Sequence, residues 1–198
     1  MIGPNHPAAS RCSAVILSLL LCLAWSWPAP AAEGDEARIA LCESCHGADG
    51  RPVGPEIPIL AGQEFYYLYV QLKDYKSGSR SNPIMSAIAA ELSKEQMQAV
   101  AKHFSEQAWP RMGFSAKEEE IQVAKNATGA GFCTQCHLGK YQGNSRIPRL
   151  AGQQPVYLNR TMLDFKNKVR LNSAAKGSLI GGYDDAVIEA IANFLANY

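Results

Sequence analysis

Cys42-Glu43-Ser44-Cys45-His46 and Cys133-Thr134-Gln135-Cys136-His137 are two copies of one pentapeptide, set 91 residues apart. Cys-x-x-Cys-His is the attachment sequence for c-type haem, and its spacing has a physical basis. On a helix, residues three and four apart share a face. Both thiols can then reach the two vinyl groups of one porphyrin and form thioethers, and the adjoining His falls under the iron as proximal ligand. The reading assigns Cys42, Cys45, Cys133 and Cys136 to covalent attachment of two haem c groups, and His46 and His137 to iron. A Cys-x-x-Cys pair also serves as a redox dithiol, a zinc half-site or a disulfide. No βαβ pattern surrounds either motif, however, and a zinc site drawn from the four cysteines leaves both histidines without a role.

The segment before the first motif points to export. An apolar run from Ala14 to Trp27 follows Arg11 and leads to the small residues Ala29-Pro30-Ala31. This pattern predicts a secretory signal peptide over residues 1–31, cut near Ala31 or Ala32, and hence a periplasmic protein. The run of 14 residues is short of the ~20 that a membrane span needs. Cys12 and Cys22 fall in the signal, so the two motifs use every cysteine of the mature chain. No later apolar run is long enough to span a bilayer, and no nucleic-acid partner is expected. The charge is uneven. Glu33–Ala108 holds seven Lys and Arg against eleven Asp and Glu, a net −4, whereas Trp109–Tyr198 holds eleven against seven, a net +4. Such a division fits either two solvated faces or two surfaces that steer different partners.

The motifs belong to a longer internal repeat. Ile57-Pro58-Ile59-Leu60-Ala61-Gly62-Gln63 matches Ile147-Pro148-Arg149-Leu150-Ala151-Gly152-Gln153 at an offset of 90. Tyr67-Leu68 matches Tyr157-Leu158, Asp74-Tyr75-Lys76 matches Asp164-Phe165-Lys166, and Phe104 matches Phe194. Two units at a fixed offset suggest duplication of one domain. The expected architecture is all-α: a signal over 1–31, one domain over 32–108, a Pro/Gly linker over 109–114 and a second domain over 115–198. In each half a helix leads into the motif, and the second of these is expected to start at Ser115 with Glu118 completing a capping box. A Gly/Pro-rich loop follows, then an aromatic helix (63–76 and 153–168), a polar loop, and an amphipathic closing helix (86–106 and 184–196).

With these residues in view, the chain resembles the dihaem class I cytochromes c of the cytochrome c4 type over essentially its whole mature length. The resemblance rests on the two attachment motifs, the Pro-x-Leu-Ala-Gly-Gln segments, the Tyr-Leu helices and the segment Asn82-Pro83-Ile84-Met85. It implies two tandem class I cytochrome c domains. It also implies that the carbonyls of Pro58 and Pro148 accept hydrogen bonds from His46 and His137, fixing the imidazoles and tuning their donor strength. Met85 is implied as the distal ligand of the first haem, a thioether that favours reduced iron.

The second half breaks the pattern, because Met85 maps onto Ala175 within Asn172-Ser173-Ala174-Ala175-Lys176-Gly177. Four arrangements are open for the second haem: an open five-coordinate iron; Met162, which aligns with Leu72; the neutral amine of Lys176 or, less readily, of Lys168; or a register shift that brings up Asn172 or Tyr183. The expected function is single-electron transfer between redox proteins such as a cytochrome, an oxidase or a dehydrogenase subunit. The chain is then a carrier or haem subunit with no assigned catalytic residue. The alternative is an open second haem that binds NO, CO or peroxide as a sensor or minor catalyst. Against catalysis, residues 167–182 offer neither a His nor an acidic residue for proton transfer. A haem-free zinc or dithiol protein is the third possibility.

Overall fold

The computed structural model describes residues 31–198 together with Met1 and Gly3, so residues 2 and 4–30 of the expected signal peptide lie outside the described residues. The first half contains α1 (Ala31–His46), α2 (Phe65–Ser77), α3 (Pro83–Ala90) and α4 (Lys94–Ser105). The second contains α5 (Glu118–Ala130), α6 (Cys133–His137), α7 (Pro155–Lys166), α8 (Ala174–Ile180) and α9 (Asp185–Ala196). Among the described residues the only β pairing is an isolated bridge between Asn144 and Ile147.

Each half builds its own core by helical periodicity. On α4, Met97, Val100, Ala101 and Phe104 are buried on one stripe and meet Leu68 and Leu72 of α2. On α9, Ile191, Ala192, Phe194 and Leu195 meet Leu158 of α7 and Ala124 and Ala127 of α5. The repeated phenylalanines are buried in both halves, Phe104 completely. Trimming a buried Phe to Ala costs about 3–5 kcal/mol, so these two side chains anchor their halves. The loop segments are tied to the closing helices by equivalent bonds: Gly62 N–H donates to the Phe104 carbonyl and Gly152 N–H to that of Leu195, both at 2.8 Å. Gly62 has φ 66°, and a Cβ there would stand 3.0 Å from the Trp109 nitrogen. Only glycine fits both demands.

Four local expectations are corrected. The closing helix of the first half is two helices, because Ser93 caps α4: Gln96 N–H donates to Ser93 Oγ at 3.1 Å, and Ser93 N–H to Gln96 Oε1 at 3.0 Å. This reciprocal capping starts a new helix after α3. α5 starts at Glu118, not Ser115, where the Lys117 N–H donates to Glu120 Oε2 at 2.9 Å. α8 forms inside the stretch expected to be loop. The second motif occupies a separate one-turn helix, α6, because Phe132 adopts a left-handed φ of 50°. The first motif, by contrast, ends a continuous α1.

Candidate haem sites

α1 and α6 bring the two motifs to the walls of one cavity of about 770 Å³ that runs across both halves. His46 Nδ1 lies 2.9 Å from the Pro58 carbonyl and His137 Nδ1 lies 3.0 Å from that of Pro148. A carbonyl can only accept, so each Nδ1 carries the proton and each Nε2 keeps its lone pair for a metal. Burial pushes both histidines below the usual imidazole range, partly opposed by the Pro carbonyls. Each ring is held neutral, the form that binds iron.

The four thiols are free. Burial pushes Cys42 up to about 11 and raises Cys133 as well. A structural zinc site needs converging thiolates, but among the described residues no three Cys, His, Asp or Glu side chains converge on a metal-sized point. The arrangement matches two separate attachment motifs instead.

Met85 lines the same cavity and packs against the core of the first half. Its position follows from the local sequence. Asn82 Oδ1 accepts from the backbone N–H groups of Ile84 and Met85 at 3.1 and 2.9 Å, with Pro83 at the first helical position. That cap starts α3 and turns Met85 inward. In the second half Asn172 does something else. Its amide donates to Asp74 Oδ2 at 2.7 Å and to Gln71 Oε1 at 3.1 Å, across the boundary between halves. Tyr183 Oη donates to the Ala127 carbonyl at 2.8 Å. Both groups proposed for a register shift are therefore engaged elsewhere. Met162 lines the cavity while packing on the second core. Lys176 also lines it, with Nζ 5.4 Å from the centre of the Phe165 ring, and burial pushes its ammonium down to about 8. Lys168 is exposed.

Two buried arginines are part of the site and were not expected. Arg80 donates to Gln71 Oε1 at 2.9 Å and to Tyr157 Oη at 3.1 Å, and stacks on Tyr75. Arg170 donates to the same Gln71 oxygen at 2.7 Å and to Asn172 Oδ1 at 2.9 Å, and stacks on Phe165. They stand at the repeat offset of 90, the one signal by which the sequence could have disclosed them. Among the described residues neither forms an ion pair with a carboxylate. Burial alone would push Tyr157 up, yet Arg80 and Arg170 outweigh it and hold the phenol at about 7. Buried positive charge without a carboxylate partner is costly. A cavity with this lining fits a flat apolar group that brings its own carboxylates, as haem does through its propionates. His103 is half-buried and contacts Glu43 Oε1 of the first motif at 2.8 Å.

Comparison with known proteins agrees with this construction. No family model matches the chain. Cytochrome c4 of Pseudomonas aeruginosa is 32% identical over 195 residues, covering 92% of both chains. A thiosulfate dehydrogenase electron acceptor of Stutzerimonas stutzeri is 34% identical over 174 residues, covering 79% of this chain and 78% of the relative. The crystal structure of reduced recombinant cytochrome c4 from Pseudomonas stutzeri superimposes with a TM-score of 0.75 at 28% identity, covering 84% of this chain and 97% of that one. With two Cys-x-x-Cys-His motifs, two neutral histidines and a shared cavity already in place, the chain belongs to the cytochrome c4 family, dihaem class I cytochromes c that carry two covalently bound haem c groups.

Proposed function

We propose that this dihaem electron carrier works in the periplasm, after removal of residues 1–31, and passes single electrons between redox proteins. Haem c supplies the reversible one-electron iron couple; the chain supplies ligation, burial and docking surface. Residues 32–108 hold the first haem through Cys42, Cys45 and His46, with Met85 as distal ligand. Residues 115–198, beyond a linker at 109–114, hold the second through Cys133, Cys136 and His137. The observation that carries this reading is the duplicated proximal unit, a histidine bound to a Pro carbonyl beside two free thiols, opening twice onto one cavity. A redox-enzyme partner is supported by the relative that serves as electron acceptor of a thiosulfate dehydrogenase. No helix among the described residues is long and apolar enough to cross a membrane.

One observation favours a second reading. Ala175 stands where the first half has Met85, so the second iron has no thioether at that position. An iron with an open distal side binds small ligands such as NO, CO or peroxide. Met162 and Lys176 line the same cavity and are the competing occupants. EPR of the oxidised holoprotein decides. Two low-spin signals are the result for a pure carrier with both irons six-coordinate. A high-spin component on the second haem, together with a change in the absorption spectrum when the reduced protein is given CO, is the result for the open site. Met162→Leu or Lys176→Ala removes the second low-spin signal if that side chain is the ligand. Absence of covalent haem on a denaturing gel overturns both readings.

A further inference from the structure

Pro58 C=O and Ile59 N–H belong to one peptide group, as do Pro148 C=O and Arg149 N–H. The carbonyl of each group binds the proximal histidine of its own half, at 2.9 and 3.0 Å. The N–H of each donates to a glutamine of the other half: Ile59 to Gln153 Oε1 and Arg149 to Gln63 Oε1, both at 2.8 Å. Each glutamine closes the ring with its amide: Gln153 Nε2 donates to the Ile59 carbonyl and Gln63 Nε2 to that of Arg149, both at 3.0 Å. Gln63 and Gln153 are 3% and 2% exposed, so these bonds are shielded from bulk solvent. Their orientation is fixed, since each Oε1 also accepts the N–H of the following residue, Glu64 or Gln154.

We infer that Gln63 and Gln153 are positioning residues that tune the proximal ligand of the haem in the opposite half. The inference rests on the dihaem reading above. A peptide group that donates at N–H becomes a better acceptor at C=O, because hydrogen bonds in series polarise one another. Gln153 therefore strengthens the bond from His46 Nδ1–H to Pro58, and Gln63 strengthens that from His137 to Pro148. A stronger bond at Nδ1 makes the imidazole more electron-rich, which favours oxidised iron. The boundary between halves is wired crosswise to the two irons. A partner that shifts one half against the other alters both proximal bonds without touching either haem.

The test uses the holoprotein and its Gln153→Leu and Gln63→Leu variants. A pyridine haemochrome assay first counts haems; fewer than two in the unaltered protein overturns the dihaem reading, not the wiring. With two haems present, Gln153→Leu raises the potential of the His46 haem, and Gln63→Leu that of the His137 haem. Each changes the oxidised-to-reduced ratio roughly threefold at fixed potential, with a matching shift of the Nδ1–H proton of the affected histidine in NMR spectra. Equal movement of both haems in either variant, or no movement of the Nδ1–H signals, overturns the inference. A purely structural role produces one of those two results. If the Leu variants do not fold, the near-isosteric Gln153→Met and Gln63→Met variants are read in the same way, with the same two overturning results.

Discussion

At the scale of single residues, the two halves repeat their histidines but not their methionine. His46 and His137 have the same hydrogen-bond partner, the same protonated nitrogen and the same downward pull from burial. Met85 has no such twin, and the reason is visible in Asn82 and Asn172. The first spends its side chain capping α3; the second spends it on Asp74 and Gln71 across the boundary. Replacing Met85 by Ala is expected to remove the distal thioether from the first haem and lower its potential, since thioether ligation favours reduced iron. Absorption and EPR spectra should show one low-spin His/Met centre lost, with haem content unchanged because Cys42 and Cys45 still hold the group. A spectrum identical to that of the unaltered protein would place Met85 in the core only. The two Cys-x-x-Cys-His motifs were legible in the sequence because their spacing is local and chemically restrictive. Gln63 and Gln153 were visible only as members of a repeat, since their partners lie 86 and 94 residues away along the chain.

At the scale of elements, the second half carries left-handed backbone on side-chain-bearing residues. Leu138, Tyr141 and Lys168 have φ of 65°, 53° and 57°. Their counterparts in the first half are Gly47, Gly50 and Gly78, all at positive φ. The turns were thus legible from the glycines of the first half, but the strain in the second was not, because nothing in Leu138 or Lys168 announces a left-handed turn. The helix break before Cys133 has a related origin in Phe132, also left-handed. Lys168 offers the cleanest test, being exposed and just past the end of α7, away from the motif. A left-handed conformation costs a side-chain-bearing residue roughly 1–2 kcal/mol, against about 0.5–1 kcal/mol of extra chain entropy for glycine. Lys168→Gly is therefore expected to stabilise the protein by about 0.5–1 kcal/mol, read as a higher denaturant midpoint at unchanged slope. A lower midpoint would show that the Lys168 side chain contributes more than its backbone costs.

At the scale of the whole molecule, the charge division between halves coexists with a positive centre. Arg80 of the first half and Arg170 of the second meet on one oxygen, Gln71 Oε1, and both line the cavity. This pairing has consequences for both haems at once. A unit charge about 10 Å from a redox centre is worth roughly 1.7 kcal/mol at an effective dielectric constant near 20, and a positive one stabilises the reduced iron. Arg80→Gln or Arg170→Gln is therefore expected to lower both potentials in a spectroelectrochemical titration, whereas Gln153→Leu is expected to raise that of the His46 haem selectively. The arginine effect should persist at high salt, because screening acts far less on buried charge than on the exposed charges of the two outer surfaces. Those outer charges should instead govern the rate of encounter with a partner, which falls as ionic strength rises. If Arg80→Gln shifted one potential and left the other fixed, the two arginines would act as separate pocket residues, and the case for a shared positive centre between the haems would be lost.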